Sequence, residues 1–198
     1  MNNTISANPK ETKRDLIIEA AIQVFSQKGY HYTKMEEIAV AAGIGKGTIY
    51  EYFTSKMQLL QEIMERSFCL YHESMTSEVN QALPFREKIR MLVQGHFKFC
   101  QENKELTRII FWDTEIMDEE LKDWACRKRV EKEQHLQALI EAGISSGEIR
   151  EIDSKMLTVV ISGIFGAIWV PVVIDGWEID AATAAEQVID IIMNGIKK

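Results

Sequence analysis

Ala39, Gly43 and Ile49 stand four and six residues apart, and no other feature constrains the chain so tightly. Two short helices joined by a tight turn need a small residue where they nearly touch. They need a residue that accepts positive φ at the turn, and an apolar residue on the second helix facing back. Ala39, Gly43 and Ile49 fill those roles, with Ile38, Ile44 and Phe53 to pack around them. The second helix is expected from about Gly45 to Tyr52, and Gly45 and Gly47 thin its leading edge. Each of these glycines costs a helix about 1 kcal/mol relative to alanine. A helix that accepts that loss is suited to close backbone approach, such as insertion into a groove about 12 Å wide.

The flanking sequence reads as helix throughout. Only three prolines occur, Pro9, Pro84 and Pro171. A first helix starts near Asn8 or Thr12, carries the stripe Ile17, Ala20, Ala21, Val24 and Phe25, and stops at Gly29. Thr33-Lys34-Met35-Glu36 and Ser55-Lys56-Met57-Gln58 read as capping boxes for a second and a fourth helix. Pro84 suits the first turn of a fifth, with the stripe Ile89, Leu92, Val93, His96, Phe97 and Cys100. A shorter segment runs from Leu106 to Trp112, and Asp118 caps a long charged helix reaching Ser145. Asp153 and Asp180 cap two apolar helices. The fold class is all-α, with about nine helices and no strand; residues 1–8 are expected to be a disordered tail.

The net charge of −7 argues against a nucleic-acid partner until its distribution is read. Met1 to Lys56 holds seven basic and six acidic residues, a net +1, which leaves −8 for the rest. An acidic body repels DNA everywhere except where a head presents its cations. Cys69, Cys100 and Cys126 are far apart and lack a Cys-x-x-Cys pair. They are expected to be small buried side chains in a reducing cytoplasm, with neither zinc nor a disulfide. No signal peptide is expected, since the first eight residues have no apolar run and no charged lead-in. Met156 to Ile174 is uncharged and long enough to span a bilayer. Thr158, Ser162, Gly163, Gly166, Pro171 and flanks without a basic cluster favour an interior helix, with no membrane.

The run Ala42-Gly43-Ile44-Gly45-Lys46-Gly47-Thr48-Ile49-Tyr50-Glu51-Tyr52-Phe53-Thr54-Ser55-Lys56 resembles the DNA-binding signature of the TetR (tetracycline-repressor) family of bacterial regulators. Phe25-Ser26-Gln27-Lys28-Gly29-Tyr30 extends the likeness, to about residue 64 in all. Gly45 departs from the serine often found there, and Met57 replaces a common acidic residue. The resemblance implies a helix-turn-helix head over residues 1–54 and a ligand-binding and dimerisation body over 55–198. It implies that Thr33 and Lys56 contact phosphate, that Lys46, Gly47 and Thr48 face the major groove, and that Tyr50 and Tyr52 reach phosphates or thymine methyls. From the residues alone Tyr50, Tyr52 and Phe53 could instead form an aromatic core cluster, a reading that is preferred for Phe53 and evenly balanced for Tyr52, and both lysines could be solvated surface.

The partner expected is double-stranded operator DNA, bound by a homodimer so that two reading helices sit about 34–36 Å apart. In the family the last two helices form the dimer interface. Here Ser162, Gly163, Gly166 and Ala167 put small residues one turn apart, and Val188, Ile192 and Ile196 line the final helix. Pro171 should kink the eighth helix. The middle helices should enclose a lipophilic effector, with His96, Phe97, Phe111, Trp112, Met117, Phe165 and Trp169 as the candidate pocket. The segment from Ser146-Gly147-Glu148-Ile149 onward resembles fatty-acid-responsive members, so an acyl-CoA comes first and a lipophilic drug or cation second.

An enzyme is not expected. The residues three before His31, His72, His96 and His135 are Lys28, Cys69, Val93 and Lys132, so no Glu-x-x-His metal motif exists. No catalytic or phosphate-binding loop motif occurs, and no cofactor or metal is implied. The rival is a helical adaptor whose helix-turn-helix packs on protein, or a regulator of drug efflux sensing lipophilic cations.

Overall fold

The computed structural model describes residues 12–77, 82–112 and 119–196. Every regular element among them is helical: α1 Lys13–Lys28, α2 Met35–Ala41, α3 Lys46–Tyr52, α4 Lys56–Thr76, α5 Phe85–Glu102, α6 Lys104–Trp112, α7 Glu119–Ser145, α8 Ser154–Trp169 and α9 Ala181–Ile196. Two compact units result, Met1–Leu70 with Glu102–Met117, and Tyr71–Gln101 with Asp118–Lys198. The first therefore takes in α6, which packs on α1.

Local chemistry sets the helix ends. Thr12 and Asp15 form a reciprocal box: the Thr12 Oγ1 accepts from the Asp15 N–H at 3.3 Å, and the Thr12 N–H donates to Asp15 Oδ2 at 3.1 Å. Gly29 ends α1 at φ +79°, its N–H on the Phe25 carbonyl. Asp153 and Asp180 cap α8 and α9 through the N–H groups of Met156 and Thr183. Asn8 and Asp118 lie outside the described residues.

Of the two expected capping boxes, that of α2 shifts by one residue and that of α4 keeps its Ser55 half. Lys34, not Thr33, is the N-cap of α2, and its N–H donates to Glu37 Oε2 at 2.9 Å. The Thr33 hydroxyl instead donates to the Gly29 carbonyl at 2.8 Å. At α4, Ser55 Oγ accepts from the Gln58 N–H at 3.0 Å, but Gln58 Oε1 reaches the Thr54 N–H at 2.7 Å. The cysteines correct another expectation: Cys100 is buried, but Cys69 and Cys126 are exposed, and all three are free thiols. Cys69 and Cys126 fall on outward faces of long helices, where a small apolar side chain costs little.

In the second unit Phe85, Ile89, Val93, Phe97, Phe99, Ile140, Ile149, Ile161 and Ile189 form a core almost sealed from solvent. Burying each such side chain contributes roughly 1.5–3 kcal/mol. Gly95 lets α5 approach the end of α4 closely: a Cβ there would meet the Ser74 carbonyl and lie 2.8 Å from Met75 Cα. Pro171 acts as expected, and the form of the distortion is a π-helical turn over Val170–Ile174. The Asp175 N–H reaches back to the Val170 carbonyl, and the Trp177 N–H takes the Pro171 carbonyl at 2.8 Å.

With that turn α8 extends from Ser154 to Ile174, long and apolar enough to cross a membrane by length and composition. Its burial is one-sided. Leu157, Ile161, Ile168 and Trp169 face the core, while Met156, Val159, Val160, Gly163, Gly166, Ala167 and Val170 are exposed. The exposed set recurs every three or four residues, so it forms one continuous apolar face.

Candidate functional site

The turn between α2 and α3 is built as its spacing requires. The Ile44 N–H bonds the Ala39 carbonyl at 3.0 Å and the Gly43 N–H bonds that of Val40 at 3.1 Å, a Schellman closure with Gly43 at φ +68°. Ala39, Ile49 and Phe53 are buried, which orients α3 about its axis. Lys46, Gly47 and Tyr50 are then exposed, and Thr48 and Tyr52 half-buried. Tyr32, 84 % exposed, and Val40, 79 % exposed, are two large apolar groups on this head that sequence reading passed over.

The two residues expected on phosphate are placed differently. Thr33 is buried and its hydroxyl is committed to Gly29. The Lys56 ammonium donates to the carbonyls of Tyr30 at 2.6 Å and Thr33 at 2.8 Å, with His31 at 3.4 Å, and sits 4.2 Å above the Tyr30 ring. Burial pulls its pKa below the usual lysine value. Lys56 thus staples the α1–α2 connection to the start of α4.

Four other cations of the first unit are paired. Lys46 Nζ meets Glu36 Oε1 at 2.8 Å, and that hydrogen bond raises the lysine pKa and lowers the carboxyl's. Lys28 meets Glu37 at 2.6 Å. Arg14 grips Glu62 with two N–H groups and gives its third to the Tyr52 carbonyl at 3.2 Å, its guanidinium 4.5 Å over the Phe53 ring. Arg66 bridges Asp15 and Glu62, each at 2.7 Å. Its contribution, second to the Thr12 hydroxyl, pushes Asp15 down to about 2. This network ties α1 to α4 and to the end of the reading helix.

A second polar cluster lies inside the second unit. His96 is fully buried on α5; its Nδ1 is 2.8 Å from the Tyr71 hydroxyl, and its Nε2 is 3.7 Å from Cys100 Sγ. Its ring packs against those of Tyr71 and Phe165. Burial, with the nearby Lys132 charge, drives His96 down to about 3, so the imidazole is neutral. Lys132 of α7 holds its ammonium 4.3 Å over the Tyr71 ring, and desolvation lowers it to about 8.

Of the expected pocket residues, His96, Phe97, Phe165 and Trp169 belong to this unit, with Phe165 half-buried and the others buried. Phe111 and Trp112 belong to the first unit. Met117 and the side chains of Trp112 and Ile196 fall outside the described residues.

Residues 17–63 match the bacterial regulatory proteins of the tetR family, and residues 82–196 match the tetracyclin repressor-like C-terminal domain. The chain belongs to the TetR family. Family members are transcription regulators that bind DNA through a helix-turn-helix. Among relatives, the fatty acid metabolism regulator protein of Bacillus subtilis is 25 % identical over 188 residues, 94 % of this chain and 97 % of that one. The fatty acid degradation regulator FadR of Bacillus halodurans superposes with a TM-score of 0.81 at 26 % identity, covering 95 % of this chain and 98 % of that one. FadR of Bacillus subtilis, solved in complex with stearoyl-CoA, gives 0.79 at 25 % identity, with 91 % and 98 % covered.

Within this TetR-family chain, sequence reading missed Tyr71, Lys132 and Glu36. Tyr71 and Lys132 reach the cluster on His96 from other helices, and no local spacing announces them. Glu36 was legible as an acid in the first turn of α2, one helix away from Lys46. Ile192 proves to be buried within its own unit, and Ile191, 72 % exposed, is the outward residue on α9.

Proposed function

We propose that this chain is a homodimeric repressor that binds palindromic operator DNA and is released by a long-chain acyl effector, with an acyl-CoA as first choice. Residues 1–54 form the reading head and 55–198 the sensing and dimerising body. Lys46, Gly47 and Thr48 on the exposed edge of α3 enter the major groove, and Tyr50 and Tyr52 reach the backbone beside it. Lys56 and Thr33 act from behind, by fixing the connection that aims α2. The exposed apolar face of α8, with Ile191 of α9, packs against the same face of a second copy, an isologous arrangement. His96, Phe97, Phe165 and Trp169 line the effector site. The protein works in the cytoplasm, where its DNA is.

The observation that carries this reading is likeness over nearly the whole chain to a regulator solved with stearoyl-CoA. A ligand can release DNA only through different affinities for the bound and released states. The test is to select duplexes from a random pool with the full chain and titrate the selected site with stearoyl-CoA. A two-fold symmetric site released by the ligand is expected. Failure to enrich any sequence removes the operator; an enriched site indifferent to stearoyl-CoA removes the effector.

A further inference from the structure

We propose that Lys132 anchors the negatively charged oxygen head of the acyl effector, held in position by the Tyr71–His96 pair. The inference rests on the acyl-effector reading above and deepens it.

Four helices of the second unit meet at this cluster: α4 brings Tyr71, α5 His96 and Cys100, α7 Lys132 and Glu133, and α8 Phe165. A neutral imidazole has one N–H. A hydrogen bond with the Phe165 backbone and the Cys100 sulfur near Nε2 assign that proton to Nε2. Nδ1 then accepts the Tyr71 O–H. This commits the phenol proton and fixes the ring, which is further wedged edge-on by Phe99 at 5.0 Å between centroids. The ring face so fixed carries the Lys132 ammonium. His96 is neutral and Tyr71, pushed far up by burial, stays protonated. The cationic group of the cluster is therefore Lys132.

Desolvation works against that charge, and Glu133 only partly restores it. An ammonium in this position gains from an anionic oxygen more than a solvated surface lysine does, because less water is lost on pairing. An acyl chain has one such end, and the aromatic side chains around the cluster suit the rest. A fatty-acid carboxylate and the phosphates of a CoA ester share this anionic oxygen chemistry, so the two are tested side by side.

The test is calorimetric titration of the full chain with palmitate and with palmitoyl-CoA, on wild type, Lys132→Met and Lys132→Arg, at pH 7 and pH 9. Loss of a charge-assisted contact predicts that Lys132→Met weakens binding about tenfold or more, with Lys132→Arg within a few-fold of wild type. Wild-type affinity should fall between pH 7 and pH 9 as Lys132 loses its proton, while Lys132→Arg, which stays charged, holds its affinity. A loss with both ligands assigns the contact to an anionic oxygen that each carries, the carboxylate in one and a phosphate in the other. A loss with palmitoyl-CoA alone assigns it to the CoA side; either supports the proposal. If Lys132→Met fails to fold, the wild-type and Lys132→Arg pH profiles decide, and parallel profiles overturn the proposal. Full binding by folded Lys132→Met also overturns it. Wild type that binds neither ligand defeats the acyl-effector reading itself.

Discussion

The Lys56 ammonium lies 2.6 Å from the Tyr30 carbonyl, so a side chain expected to face DNA is turned into its own head. Replacing it by methionine removes bonds from a charged donor to two close carbonyls. The cost should be about 2 kcal/mol, since part of the site is solvated. Lys46→Ala, on the exposed edge of α3, should leave stability within about 0.5 kcal/mol. Urea unfolding followed by Trp fluorescence and circular dichroism, beside duplex binding, separates the two. Equal stability loss in both variants would contradict the staple.

Glu36 holds Lys46 in the free head, so Glu36→Gln should release a cation toward the groove. Operator affinity should rise a few-fold, and Lys46→Ala should lower the slope of log affinity against log salt by about one. Fluorescence anisotropy across a salt series reads both. Weaker binding by Glu36→Gln would mean instead that Glu36 positions Lys46 for DNA.

His96 makes the second unit sensitive to acid. Its folded pKa, about 3, lies below the usual histidine value, 6.5. In that window the unfolded chain binds a proton that the folded chain refuses. Stability is therefore full above about pH 6.5 and falls as pH drops toward 3, by up to about 1.4 kcal/mol per pH unit. Asp15 adds its own loss lower down, as pH falls from 3.8 toward about 2. Urea midpoints between pH 7 and pH 5 should slope for wild type and flatten for His96→Gln, whatever the variant's absolute stability.

Gly95→Ala should cost about 3 kcal/mol, since α5 must move off the backbone of Ser74 and Met75. Gly163→Ala has open space around its Cβ and should leave the melting temperature of the monomer unchanged. Differential scanning calorimetry checks the contrast, and a mild Gly95→Ala would show that α4 and α5 have room to part.

Val160 is half exposed in the middle of the α8 apolar face. By sedimentation velocity at micromolar concentration, wild type should sediment as a dimer and Val160→Arg as a folded monomer. A variant that remains dimeric would place the interface elsewhere.

Much of the architecture could be read from local chemistry. Thr12, Gly29, Gly43, Asp153 and Asp180 end helices through bonds to residues within five positions, and such bonds do not depend on the rest of the fold. The Ala39-Gly43-Ile49 turn was legible for the same reason. The partners of Lys56 were not legible, because they are carbonyls of the α1–α2 connection that it reaches only once α4 is in place.

Ile191 and Ile192 make the same point for surfaces. Both are equally apolar in sequence, and rotation of α9 about its axis, set by packing inside the unit, buries Ile192 and exposes Ile191. The Tyr71, His96 and Lys132 cluster likewise exists only because three helices distant in the chain converge. By itself the sequence determined the all-helical class, the helix ends and the reading turn, because each follows from periodicity and short-range hydrogen bonds. The tertiary structure alone decided which lysine stands on an exposed helix edge and which is turned inward, which face of α8 stays uncovered and where a cation is held against aromatic rings, because burial and pairing depend on neighbours that the chain brings together only by folding.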